Sequence, residues 1–92
     1  MSEVRETVEI VNNRGLHARA SAKFVNAVTK LGDEVNVRVE KDGADAAGGS
    51  ILGLMMLGAA KGDTVEVAVE GDGAETVLAD LVALIADGFG ED

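Results

Sequence analysis

The residues best suited to chemistry lie in Asn13-Arg14-Gly15-Leu16-His17-Ala18-Arg19-Ala20-Ser21-Ala22, which contains the chain's single histidine. Asn12 to Gly15 is a turn cluster, and apolar residues at helical spacing begin just after His17, so the imidazole is expected where a turn meets the start of a helix. The first N–H groups of a helix have no partner within it. Together with the helix dipole they favour an anion at that end by about 0.3–1 kcal/mol in exposed settings, and a phosphate there is held by backbone donors. Ala18 and Arg19 are placed to supply those donors. A neutral ring nitrogen is the nucleophile that attack on phosphorus requires. Arg19, two residues on, offers a planar fork of donors to phosphate oxygens. Arg14, in the turn, adds to the positive field.

Charge is distributed to match. The whole 92-residue chain carries −9, yet Arg14, Arg19, Lys23 and Lys30 give +4 to a stretch between Glu9 and Asp33 that has no acidic residue, so the remainder carries −13. The overall acidity argues against nucleic acid as a partner, and with Phe24 and Phe89 the only aromatics there is no base-stacking platform. One His and no Cys leave no metal site and no disulfide. No cofactor is implied. Glu3, Arg5 and Glu6 interrupt the N-terminus, so no signal peptide is expected, and no run approaches the roughly 20 apolar residues of a membrane span. The expectation is one cytoplasmic domain spanning residues 1–92.

The elements that must position His17 follow from periodicity. Val4 to Val11 reads as a strand with Val8 and Ile10 on one face. A helix is expected over Ala18 to Leu31, with Ala20, Phe24, Val28 and Leu31 facing inward, Arg19, Lys23, Asn26 and Lys30 outward, and Gly32 as its stop. Val35, Val37 and Val39 mark a half-buried strand, Asp42-Gly43 a hairpin, and Ala44 to Ala47 a weak edge strand. Ser50 is placed as the N-cap of a short helix, Ile51 to Leu57. Val65, Val67 and Val69 give a further strand, and a last helix starts at Asp72 and Glu75 and ends at Gly88. The order β-α-β-β-α-β-α, with strands wet on one side, predicts an α+β fold: a four-stranded antiparallel sheet with three helices on one face.

The run Gly15-Leu16-His17-Ala18-Arg19 resembles the active-site signature of the HPr family, the phosphocarriers of the phosphotransferase system. The resemblance extends through Ser50-Ile51-Leu52-Gly53-Leu54-Met55-Met56-Leu57, Lys61-Gly62-Asp63 and the last helix. The ending Gly88-Phe89-Gly90-Glu91-Asp92 is most similar to the nitrogen-related (NPr) branch. The family fold is an open-faced β-sandwich in the element order just given. The resemblance implies that His17 takes phosphate on Nδ1 from enzyme I and passes it to an EIIA-type acceptor, in sugar or nitrogen-related phosphotransfer, with Arg19 assisting. Such a protein is a carrier rather than an enzyme, and a monomer suits transient hand-over. Where the family motif usually has Pro after the Arg, this chain has Ala20, which restores one backbone donor and loosens the turn.

Ile51, Leu52, Leu54, Met55, Met56 and Leu57 point almost all round a short helix, so part of that set is expected to face outward and dock partners, together with Arg14, Ala20 and Lys23. In some family members a serine at the position of Ser50 is phosphorylated by an HPr kinase/phosphorylase. Ser50 is a candidate for that regulation, although Gly49 stands where many members carry Lys. The rival reading is a non-catalytic α+β regulatory or ligand-binding module in which His17 is only a helix cap.

Overall fold

The computed structural model describes residues 3–32 and 34–91. Its elements are β1 (Glu3–Glu9), α1 (Ala18–Thr29), β2 (Val35–Lys41), β3 (Ala44–Ala47), α2 (Ile51–Met56), β4 (Thr64–Gly71) and α3 (Ala74–Ala86), followed by a short turn over Gly88–Gly90. The expected order is therefore reproduced, with boundaries moved by one or two residues.

β4, whose inward-facing Val65, Val67 and Val69 are all buried, occupies the middle of the sheet. It pairs antiparallel with β1 on one side and β2 on the other, giving the sheet order β1-β4-β2-β3. β2 turns into β3 through Asp42 (φ 53°) and Gly43 (φ 87°). Positive φ at both central residues is the two-residue turn that matches strand twist, and Asp-Gly is suited to it. β3 is the short edge strand that its alanines suggested.

One sheet face is apolar and covered. Val8, Val37, Val39, Val65, Val67 and Val69 meet Phe24 from α1, Leu54 from α2, and Leu78, Leu81 and Ile85 from α3 in a single buried cluster. The other face is open and charged. Arg5 bonds Glu3 (2.8 Å), Glu40 (3.3 Å) and Glu66 (2.6 Å), and Arg38 bonds Glu3 (2.9 Å), Glu40 (3.2 Å) and Asp45 (3.3 Å). Ala68 of β4 sits opposite both arginines in register and is buried. The long side-chain stems of its neighbours cover this small residue, which is why a position on the wet face is dry.

The start of α3 differs from the sequence expectation. Its N-cap is Gly73, at φ 70°, and no side chain caps it. Asp72 is one residue too early to reach the free amides, and Glu75 remains as a favourable charge in the first turn. α2 is capped by Ser50 as expected, and α1 by the His17 side chain, which accepts from the Arg19 N–H.

Candidate functional site

The turn that delivers His17 is held from three directions. Gly15 adopts φ 64°, and a Cβ there would lie 2.3 Å from the Ala59 carbonyl oxygen, so only glycine lets the turn pass this close to the α2–β4 loop. Leu16 donates its N–H to the Ala59 oxygen at 3.0 Å and buries its side chain. Ser21 in α1, fully buried, donates its hydroxyl to the Leu16 carbonyl at 3.2 Å.

His17 then starts α1. Its backbone is extended (φ −74°, ψ −179°) and its carbonyl accepts from the Ser21 N–H at 2.9 Å. Its ring nitrogen Nδ1 accepts from the Arg19 N–H at 3.3 Å, so Nδ1 presents a lone pair, not a proton, to the helix terminus. The remaining proton is on Nε2, which donates to the Glu91 carboxylate at 2.8 Å and 3.1 Å. With side-chain exposures of 16% and 18%, this pair is neither sealed off nor open. Nδ1 faces a donor and Nε2 an acceptor, and only one neutral tautomer satisfies both. Ala18 and Ala20 donate their N–H groups to no partner among the described residues. Arg19 contributes an amide that is already engaged, not a free one.

Glu91 arrives from the far end of the chain. After α3 the backbone runs through three left-handed residues, Gly88 (φ 66°), Phe89 (φ 58°) and Gly90 (φ 73°). The Phe89 ring is buried in the core, and Lys23 of α1 donates its ammonium to the Phe89 carbonyl at 2.7 Å. This left-handed turn directs the chain back across the start of α1. Burial alone would push the Glu91 carboxyl up. Hydrogen bonds from Asn12 and His17, and the attraction of the Lys23 ammonium, outweigh it and hold the group below the usual carboxylate range.

Beside this pair lies a polar cleft of about 470 Å³, lined by Asn13, Arg14, Arg19, Lys23, Gly90 and Glu91. Arg14 and Arg19 are exposed and have no carboxylate within salt-bridge distance among the described residues. The structure thus gathers His17, Arg19, Arg14 and Lys23 at one place. It also adds Glu91 and Asn12, which sequence reasoning missed. The only signal was the Gly-Phe-Gly spacing ahead of Glu91, because a phenylalanine between two glycines suits a tight turn with an apolar anchor. Among the described residues, no three His, Asp or Glu side chains converge as a metal would require.

On α2, Ile51, Leu52, Met55 and Met56 are exposed, Met56 at 77%. Two residues expected on the docking surface are not on it. Leu54 is fully buried because it is the one position of this short helix aimed at the core, and Ala20 is fully buried where α1 packs inward. Ser50 is half-buried, and its hydroxyl oxygen accepts the Gly53 N–H at 2.9 Å.

Comparisons with known proteins agree with this arrangement. The family described as "PTS HPr component phosphorylation site" matches residues 4–87. The phosphocarrier protein HPr of Neisseria meningitidis is 41% identical over 88 residues, covering 96% of this chain and 97% of that protein. The phosphocarrier protein NPr of Escherichia coli is 39% identical over 89 residues, covering 97% and 98%, so both names of the family occur among the relatives. The crystal structure of HPr-C-His from Thermoanaerobacter tengcongensis superposes with a TM-score of 0.86 at 42% identity, covering all of this chain and 99% of that one. The chain belongs to the HPr family of phosphocarrier proteins of the phosphotransferase system.

Proposed function

We propose that His17 is the phosphoryl-carrying residue, accepting phosphate on Nδ1 from enzyme I and passing it to an EIIA-type acceptor in the cytoplasm. The observation that carries this is the Nδ1 lone pair at the N-terminus of α1, with the ring proton fixed on Nε2 by Glu91. The lone pair attacks phosphorus, the N–P bond forms, and the donor's bond to phosphorus breaks. The proton stays on Nε2, so the ring becomes positive as the bond forms. The Glu91 carboxylate faces that charge, and the phosphate oxygens replace the ring as acceptors of the first-turn amides. Ala20 contributes an amide here that a proline would lack. Arg19 sits on the cleft wall, able to turn its fork onto the phosphate.

Return of the phosphate runs the same steps backwards, so the protein carries a group between partners and turns over nothing alone. It needs no cofactor and works as a monomer. Ile51, Leu52, Met55 and Met56 on α2, with Arg14 and Lys23 beside the cleft, form the partner surface. Phosphate on Ser50, set there by an HPr kinase/phosphorylase, would add about −1.5 to −2 charge next to that surface and weaken docking.

Incubation with enzyme I and phosphoenolpyruvate is expected to give an acid-labile, alkali-stable phosphate that is absent from His17→Ala. Arg19→Ala is expected to slow transfer tenfold or more with little change in unfolding midpoint. An unlabelled chain, or a labelled His17→Ala, would overturn the assignment, and equal transfer rates would remove Arg19 from it.

A further inference from the structure

Asn12 is fully buried, yet it is polar and its Oδ1 has no hydrogen-bond partner among the described residues. Its Nδ2 donates twice, to the Gly15 carbonyl at 2.8 Å and to Glu91 Oε1 at 3.1 Å. Both of those partners only accept, so the amide cannot be turned over to satisfy Oδ1 without setting oxygen against oxygen. The bond to the buried Gly15 carbonyl stabilises the turn, but the orphaned Oδ1 is a cost that offsets it, so stability alone is a weak reason for this residue. The second donor bond supplies a stronger one. The same carboxylate oxygen that receives Asn12 also receives His17 Nε2, at 3.1 Å.

We propose that Asn12 is a positioning residue for phosphoryl transfer. It ties the β1–α1 turn to Glu91 and so aims the carboxylate at Nε2, which fixes the ring proton there and leaves Nδ1 unprotonated. The proposal rests on the reading that His17 is the carrier, and it adds the element that sets the ring's tautomer. Without Asn12, Glu91 keeps its charge but loses the bond that fixes its rotamer at a left-handed, strap-like terminus.

The test uses Asn12→Leu in the full chain, which keeps the branching at Cγ, with Asn12→Ala as a second variant should the larger side chain fail to fold. Nitrogen-15 NMR of the imidazole in the unphosphorylated protein reads the tautomer directly. The wild-type ring is expected almost wholly in the Nε2–H form. Both variants are expected to shift toward a mixture, with transfer from enzyme I at least tenfold slower and an unfolding midpoint only modestly lower for Asn12→Leu, because the Gly15 carbonyl loses its donor while the orphaned Oδ1 is removed. The double variant Asn12→Leu/Glu91→Gln is expected to be no slower than Glu91→Gln alone, since one residue acts through the other. An unchanged tautomer, a wild-type rate in both variants, or multiplying losses in the double variant would overturn the proposal. A wild-type chain that takes no phosphate would instead remove the carrier reading, while the NMR result still decides whether Asn12 governs the ring.

Discussion

Phe89→Ala probes how the end of the chain is held over the site. The Phe89 ring is buried while its backbone sits at φ 58° and ψ 26°. Deleting a buried phenylalanine costs about 3–5 kcal/mol when the surroundings stay in place. Holding an L-residue in the left-handed region costs about 1–2 kcal/mol, and alanine at position 89 would still bear it. The variant has another course, in which residues 88–91 lift off α1 and relax. Lifting loses the ring's contribution but recovers the strain, so the global loss is capped at roughly 1–4 kcal/mol. With a urea m-value of about 1–3 kcal/mol/M, the midpoint falls by about 1–2 M at mid-range values. Local release is the informative result. The amides of Gly90 and Glu91, whose N–H groups donate to Asp87 and Gly88 at 3.3 Å and 3.0 Å, should exchange at nearly unprotected rates, and the His17 ring should lose its single tautomer. Urea unfolding, amide exchange and imidazole NMR on one sample check the three parts. Protected terminal amides and an unchanged ring in a variant destabilised by more than about 5 kcal/mol would mean that Phe89 is simply a core residue, and the strap argument would be wrong.

Further outcomes follow from the same geometry. Gly15→Ala adds a left-handed cost of about 1–2 kcal/mol, displaces the Ala59 carbonyl, and breaks its bond to Leu16 at about 1 kcal/mol. The thermal midpoint should fall by roughly 10 °C or more, and a fall under about 5 °C would contradict the close approach. Ser50→Ala removes a cap and should cost about 1 kcal/mol, or about 4–8 °C in thermal unfolding; no change would show that the Gly53 N–H does not depend on the hydroxyl. The Glu91 carboxyl titrates below its ordinary value in the folded chain, so its contribution is complete above the unfolded value of about 4.3 and is lost as pH falls through the lower folded value. NMR of the Gly88–Glu91 segment should therefore show release only below the ordinary carboxylate range. Release centred between pH 5 and 8 would mean that the carboxylate is not the anchoring group.

What the sequence made legible was whatever short-range periodicity decides. Val35, Val37 and Val39 alternate cleanly, Asp42-Gly43 has one good turn to make, and the apolar and basic faces of α1 fall where 100° per residue puts them. The site was half legible for the same reason, since His17, Ala18 and Arg19 are neighbours and a helix start is a local event. Glu91 was not, because it reaches His17 across 74 positions and nothing local says that the chain turns back. Asn12 was read only as part of a turn cluster, which is half its role. Leu54 illustrates a different failure. In a six-residue helix that is apolar all round, the pattern has no polar face to set the orientation, and tertiary packing against α1 and β3 decides which residue is buried.

The acidity of the chain and the basic character of its site are reconciled by where the carboxylates are used. Arg5, Arg38 and Lys41 are each paired with acidic side chains on or near the open sheet face. Arg14, Arg19 and Lys23 have no carboxylate within salt-bridge distance among the described residues, and Lys23 is engaged by a neutral carbonyl. Glu91 is the one acid lining the cleft, and its oxygens are turned to Asn12 and His17. A net charge of −9 therefore coexists with a local field that favours an anion, because pairing cancels charge within a few ångströms and salt screens what is left beyond about 8–10 Å. An incoming phosphoryl group experiences the unpaired cations and the first-turn amides, and the distant excess of carboxylates acts on it only weakly. Moving one carboxylate into the stretch between Glu9 and Asp33, as in Asn26→Asp on the exposed face of α1, should weaken that field without touching the site. Transfer should slow more at low ionic strength than at high, and a loss independent of salt would show that proximity to the ring, not the field, was being altered.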